Sequence, residues 1–306
     1  MPRKNGAKPK IGFIGIGMMG HGAAKNLVEK GFPLAFVAHR NRAPADDLLK
    51  RGAKEVRGAA ELAGMSDVVI LCLPSSREVE AIVLGTGGVI EEAHAGLTVV
   101  DMTTADPAST RRVAAALKSR GVDFVDAPLG RNPKDAEAGR LNAMVGADAA
   151  SFAKVRPVLE AFCENVFHCG PVGAGHTVKL VNNFVGLGTA AVVAEGLVAA
   201  ARAGLDLGKV REVIAAGGAN SAMFQGITRN LLDGDAQAGQ FALANAAKDV
   251  RYFCAWSGAE PAVQPVAPAV LNAYNLALGL GRGADFLPKL VDALAGLNGV
   301  KLPRKD

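Results

Sequence analysis

The sequence predicts an α/β fold, a doubly wound and largely parallel sheet, followed by an all-α domain. Short apolar runs alternate with stretches of helical composition up to about Gly170, and that alternation calls for a parallel sheet with helices on both faces. The runs are almost continuously apolar, as strands buried on both sides require. Beyond Gly170 every apolar segment is helical in character.

Taken in order, KIGFIGIG, LAFVAH, DVVILCLP, LTVVDMTT, VDFVDAP, LNAMVGA and NVFHCG read as strands, mostly bounded by Gly, Pro or Asp. Between most of them lie stretches of helical composition, such as GAAKNLVEKG, REVEAIVLG, PASTRRVAAALKSRG and AASFAKVRPVLEAFC. From Gly173 to Gly204 the chain has no proline and few charges. As one helix it would span roughly 45 Å at about 1.5 Å per residue. Asn182, Asn183 and Glu195 interrupt its apolar content, so it reads as a helix buried between domains or subunits rather than a membrane span. LGKVREVIAAG, FALANAAKDVRYFCAWSG, VAPAVLNAYNLALGLG and DFLPKLVDALAGL continue the helical pattern. The expected organisation is a disordered basic tail (1–9), a dinucleotide-binding domain (10–172) and an all-helical substrate and dimerisation domain (173–306).

Composition removes several function classes. The 306 residues are 50% hydrophobic, which excludes whole-chain disorder. Of the net charge of +5, four positive charges lie in the first ten residues, so the remainder carries only +1. That balance gives no nucleic-acid footprint. No secretory apolar segment follows the basic start. The four cysteines (Cys72, Cys163, Cys169, Cys254) form no C-x-x-C pair and the five histidines no ligand cluster. The expectation is reduced thiols, a cytoplasmic setting and no metal.

Gly15-Ile16-Gly17-Met18-Met19-Gly20 follows one predicted strand and opens a predicted helix. A dinucleotide site needs this layout: one glycine for the turn, one for close approach to a pyrophosphate, one for helix packing on strand. About 20 residues on, an NAD site places an acid on the ribose 2′-hydroxyl. This chain has His39-Arg40-Asn41-Arg42 instead, with two guanidiniums suited to a phosphate. The expected cofactor is NADP(H), with NAD(H) possible. An Arg at this place can also stack on adenine or face solvent.

GFIGIGMMGHGAAKNLVEKG, DVVILCLPSSREVEAIVLGTGGVI, VVDMTTADP, VDFVDAPLG with AGRLNAMVGA, GAGHTVKLVNNF and AAKDV stand in succession over residues 10–300. The series resembles the β-hydroxyacid dehydrogenase family, which includes 3-hydroxyisobutyrate dehydrogenases and tartronate semialdehyde reductases. The resemblance implies a Rossmann domain joined to an all-α domain by a long interdomain helix, assembled as a homodimer or homotetramer. It implies NAD(P)-dependent interconversion of a 3-hydroxy acid and its semialdehyde. By position it implies Gly15, Gly17 and Gly20 at the pyrophosphate, Leu73, Pro74 and Thr104 along the cofactor cleft, Lys179 as catalytic lysine and Asn183 on the substrate. Lys248 would stand near nicotinamide and substrate. Lys179 and Asn183 at i and i+4 also share a helix face.

One loop departs from the family pattern. Where the family continues V-S-G-G, this chain has Leu129-Gly130-Arg131-Asn132. The loop resembles that of sulfolactaldehyde reductases. Arg131 offers a planar fork for a carboxylate, sulfonate or phosphonate, or else faces solvent or pairs with Asp126 or Asp135. Gly130, Arg131, Asn132 and Phe241 are thus candidate substrate contacts, and the expected partner is a small anionic hydroxy acid or semialdehyde. Two other readings are an imine reductase, which usually lacks a lysine at position 179, and an NADP-binding protein without turnover.

Overall fold

The computed structural model describes residues 8–259 and 261–303. The expected tail lies, for residues 1–7, outside the described residues. Lys8 is described: its ammonium stands 4.8 Å over the Phe32 ring and donates to the Lys30 carbonyl.

The first part of the chain runs β1 (Ile11–Ile14), α1 (Gly20–Glu29), β2 (Leu34–Val37), α2 (Ala43–Lys50), β3 (Lys54–Val56), α3 (Ala59–Met65), β4 (Val68–Leu71), α4 (Ser76–Leu84), β5 (Thr98–Asp101), α5 (Pro107–Lys118) and β6 (Asp123–Asp126). There follow β7 (Leu129–Gly130), α6 (Pro133–Glu137), β8 (Leu141–Gly146), α7 (Ala149–Leu159) and β9 (Cys163–Gly170). Among the described residues the sheet has nine strands, in the order β3-β2-β1-β4-β5-β6-β8-β7, with β9 on β8. Strands β1 to β6 are parallel, whereas β8 runs antiparallel to β6 and β7.

Apolar residues on both strand faces give this sheet two cores. Ile11, Phe13, Ile70, Val100 and Val125 point one way; Ile14, Val69, Leu71, Val99 and Phe124 point the other. The double burial explains why the strands read as continuous runs. Helix starts follow capping chemistry. Ser75, Asp106 and Asp148 accept backbone N–H bonds at the first turns of α4, α5 and α7.

After β9 the chain is helical: α8 (Ala174–Arg202), α9 (Leu207–Ala215), α10 (Ala222–Asp233), α11 (Leu243–Ser257), α12 (Ala267–Gly279) and α13 (Leu290–Leu297). Two compact units divide at Lys179 and Leu180. The helical unit centres on Leu187, Ala190 and Ala194 of α8, Ala246 and Val250 of α11, and Tyr274 of α12. The buried Tyr274 hydroxyl donates to the Leu187 carbonyl, 2.8 Å. By length and mean hydropathy α8 does pass as a membrane-crossing helix, because its polar interruptions are too few to lower the average. Val181, Val185 and Val192 form an exposed ridge along it, the last two 63% and 70% exposed.

Candidate active site

The turn between β1 and α1 assigns each glycine a separate reason. Gly15 has φ +98°, and a side chain there would bring its Cβ 2.2 Å from the Cys72 carbonyl oxygen at the end of β4. A Cβ on Gly20 would lie 1.9 Å from the Gly15 carbonyl oxygen. The backbone therefore excludes side chains at both positions. Gly17 is different: a Cβ there would meet nothing within 4 Å, so nothing within the fold requires a glycine. The open space over Gly17 is what a phosphate at backbone distance needs. The first turn of α1 has neither an acidic residue nor a side-chain cap, which leaves its positive end to an anion. These residues fit a dinucleotide pyrophosphate. Ile16 is buried and Met19 packs on the core, while Met18 is exposed.

Beyond β2, His39, Arg40 and Asn41 are exposed. The expected pair of guanidiniums is corrected to one. Arg42 is held by Glu55 of β3 through two bonds of 2.7 and 2.9 Å, with Asp46 at 3.4 Å. A bidentate carboxylate occupies the fork that a 2′-phosphate would use. On the next loops the Leu73 amide donates to Thr103 Oγ1 at 3.0 Å, tying the end of β4 to the end of β5. Pro74 is exposed and Thr104 half-buried.

Gly130 is buried in β7, opposite Asn142 of β8. Arg131 has φ +76°, the only non-glycine in the left-handed region among the described residues. Its guanidinium pairs with Glu164 of β9. It does not pair with the two acids weighed from sequence: Asp126 accepts the Gly173 and His176 amides at 2.6 and 2.8 Å, and Asp135 faces Arg140 at 3.4 Å. Asn132 carries a structural duty, since its Oδ1 accepts the Lys134 and Asp135 amides as the cap of α6. That oxygen is committed to the helix, so at most the amide NH2 remains for a ligand.

In the helical unit, Asp249 brings two of the expected residues together. It is 2% exposed; its Oδ2 accepts the Asn183 amide at 2.6 Å, and its Oδ1 stands 3.1 Å from the Lys248 ammonium. The same ammonium lies 5.3 Å over the Tyr252 ring. Phe241 packs on the helical core, and its carbonyl accepts the Leu287 amide. Lys179 is half-buried on α8, one turn before Asn183.

Two features were not singled out from sequence. Asp249 follows Lys248 directly, and a carboxylate on the buried face of an apolar helix is the signal that would have found it. His176, three residues before Lys179, is wholly buried with Asp101 and Asp126. Burial raises the Asp101 carboxyl above its usual range and pushes the Cys163 thiol up to about 12.

Comparison with known proteins identifies the family and the fold. The family model described as the NAD binding domain of 6-phosphogluconate dehydrogenase matches residues 10–170, and that described as NAD-binding of NADP-dependent 3-hydroxyisobutyrate dehydrogenase matches residues 173–288. A 2-(hydroxymethyl)glutarate dehydrogenase of Eubacterium barkeri is 36% identical over 79% of this chain and 80% of its own length. An NAD-dependent L-serine dehydrogenase of Pseudomonas aeruginosa is 33% identical over 94% and 99%. The crystal structure of a 3-hydroxyisobutyrate dehydrogenase from Salmonella typhimurium superposes with a TM-score of 0.81 at 28% identity, covering 92% of this chain and 99% of that one. The chain belongs to the β-hydroxyacid dehydrogenase family, the NAD(P)-dependent oxidoreductases of 3-hydroxyisobutyrate dehydrogenase and tartronate semialdehyde reductase type.

Proposed function

We propose that this protein is an NADP-preferring oxidoreductase interconverting a small anionic 3-hydroxy acid and its semialdehyde, with Lys179 as general acid and base. The observation that carries the reading is the buried Asp249, which orders Asn183 of α8 and Lys248 of α11 together. When bound, the reduced nicotinamide supplies a hydride to the substrate carbonyl carbon. Gly15, Gly17 and Gly20 would hold its pyrophosphate, and Leu73, Pro74 and Thr104 would line its cleft.

The Lys179 ammonium gives a proton to the developing alkoxide in reduction, and the neutral amine takes one from the hydroxyl in oxidation. Asp249 accepts one hydrogen of the Asn183 amide and fixes its plane. The second hydrogen is then directed at a substrate oxygen. Lys248, oriented by the same carboxylate, supplies positive charge beside the substrate. Arg131, which pairs with Glu164 of β9 in the absence of substrate, would exchange that carboxylate for the acidic end of the substrate. The names of the relatives share a chemistry with this reading: hydroxymethylglutarate, serine and 3-hydroxyisobutyrate each carry a hydroxymethyl group on the carbon next to a carboxylate.

The testing experiment is a panel of semialdehydes and 3-hydroxy acids bearing carboxylate, sulfonate or phosphonate groups, with cyclic imines alongside. It is run with NADPH and NADH on wild type, Arg40→Ala and Arg131→Ala. NADPH should exceed NADH in kcat/KM by about tenfold, and Arg40→Ala should remove most of that margin. The serine dehydrogenase relative is NAD-dependent, so equal or better use of NADH is the result that overturns the preference. Arg131→Ala should raise KM for the acidic substrates by at least about tenfold. A sulfonate preferred over carboxylates would place the enzyme with the sulfolactaldehyde reductases, turnover of imines alone would replace the reaction class, and cofactor binding without any turnover would leave a binding protein.

We also assign a homodimer, burying the valine ridge of α8, and a cytoplasmic setting in keeping with four free cysteines. Light scattering should give at least twice the chain mass, and a monomer at micromolar concentration would refute the assembly.

A further inference from the structure

A group of buried ionisable side chains at the start of α8 has no part in the chemistry above. We propose that His176, wedged between Asp101 and Asp126, is a positioning residue for Lys179. This rests on Lys179 being the proton-transferring group.

The first turn of α8 is fastened to the sheet rather than to its own side chains. The Asp126 carboxylate, at the end of β6, accepts the amides of Gly173 and His176. A Cβ on Gly175 would lie 2.2 Å from the Met144 carbonyl oxygen of β8, so the helix start touches the strands directly. The His176 ring fills the remaining space between β5, β6 and α5. Its Nδ1 is 2.7 Å from Thr110 Oγ1 and 3.9 Å from Asp126 Oδ2. Its Nε2 is 3.9 Å from Asp101 Oδ2, and neither of these two buried atoms has a hydrogen-bond partner among the described residues.

Two acceptors facing each other in a dry interior repel, so the line from Nε2 to Oδ2 must carry a hydrogen. The Nε2–H tautomer supplies it when the Thr110 hydroxyl turns from the Asp106 carbonyl, 3.1 Å away, to donate to Nδ1; the Nδ1–H tautomer leaves Nε2 bare, and the hydrogen then comes from the Asp101 carboxyl. The ring therefore links α5 and β5 to the turn that precedes Lys179, which lies three residues on along the same helix face. Other titratable groups face the two carboxylates. The Cys72 thiol, which burial and Asp101 push up to about 12, adjoins Asp101. Cys169, which burial also raises, adjoins Asp126. The Arg111 guanidinium approaches the backbone at Gly173.

The test compares His176→Ala, His176→Gln, Asp101→Asn and the double variant His176→Ala with Asp101→Asn, each for melting temperature, cofactor KM and kcat across pH. His176→Ala should lower kcat by on the order of tenfold to 10²-fold, the scale of a small misplacement of a reacting group, with cofactor KM unchanged. His176→Gln keeps a donor directed at Asp101 and should restore kcat to within about threefold. In the double variant the orphaned carboxylate is gone, so the melting temperature should recover while kcat stays low. Recovery of kcat together with melting temperature would show a purely structural role and overturn the proposal. So would a His176→Ala enzyme with wild-type kcat, provided Lys179→Ala has lost turnover. An active Lys179→Ala enzyme instead overturns the assignment of Lys179 and is thereby distinguished.

Discussion

Gly17→Ala should fold with the wild-type melting temperature and bind NADPH at least about tenfold more weakly, whereas Gly15→Ala should fold poorly or not at all. The two glycines are two residues apart, but they answer to different physics. At Gly15 a side chain meets both an unfavourable backbone, φ +98°, and a carbonyl oxygen at 2.2 Å. Left-handed strain alone costs about 1–3 kcal/mol, and the overlap adds to it because a strand end cannot move aside. At Gly17 an added methyl meets no protein atom within 4 Å, so stability is untouched. The methyl instead occupies the approach of the pyrophosphate, where each charge-assisted hydrogen bond lost is worth about 1.5–3 kcal/mol. Thermal melts with and without NADPH, alongside a fluorescence titration, separate the outcomes. A Gly17→Ala protein that binds NADPH normally would detach this turn from the cofactor.

Lys179→Ala should lower kcat in both directions by at least about 10²-fold, within the range that a positioned acid or base contributes. Cofactor affinity should hold, because the glycine turn and the loops after β2 and β4 are untouched. Single-turnover measurement of NADPH oxidation reads the proton-coupled step directly. Turnover near the wild-type rate would remove Lys179 from the mechanism.

Much of the fold was written in the residue pattern, since seven of the nine strands are apolar runs long enough to stand out against their flanks. The two that escaped are short or polar: β3 is Lys54-Glu55-Val56, and β7 is Leu129-Gly130 alone. The loss mattered for the site. Glu55 reaches Arg42 because β3 lies beside β2 in the sheet, and β9 presents Glu164 to Arg131 from an even more distant stretch of chain. Partners of that kind are set by sheet order, which no local window reveals. Among the helices, α2, α3 and α6 escaped because they are eight residues or fewer, and α10 because glycine and polar residues interrupt its apolar spacing. Conversely, the glycine motif and the long α8 were legible in the sequence, and motif order named Asn183 and Lys248 as candidates, while the carboxylate that joins these two was not legible. Asn132 before Pro133 was itself a helix-start signal, overlooked in favour of the substrate loop.

The backbone at Arg131 has an evolutionary consequence. Its left-handed conformation suits glycine, so an arginine there carries a standing conformational handicap. Such a residue persists under mutation only while something rewards its guanidinium, either Glu164 of β9 or an acidic ligand. In a lineage that lost Glu164 and ceased to use acidic compounds, this codon should drift back toward glycine, making the two positions together a marker of which descendants kept the diet.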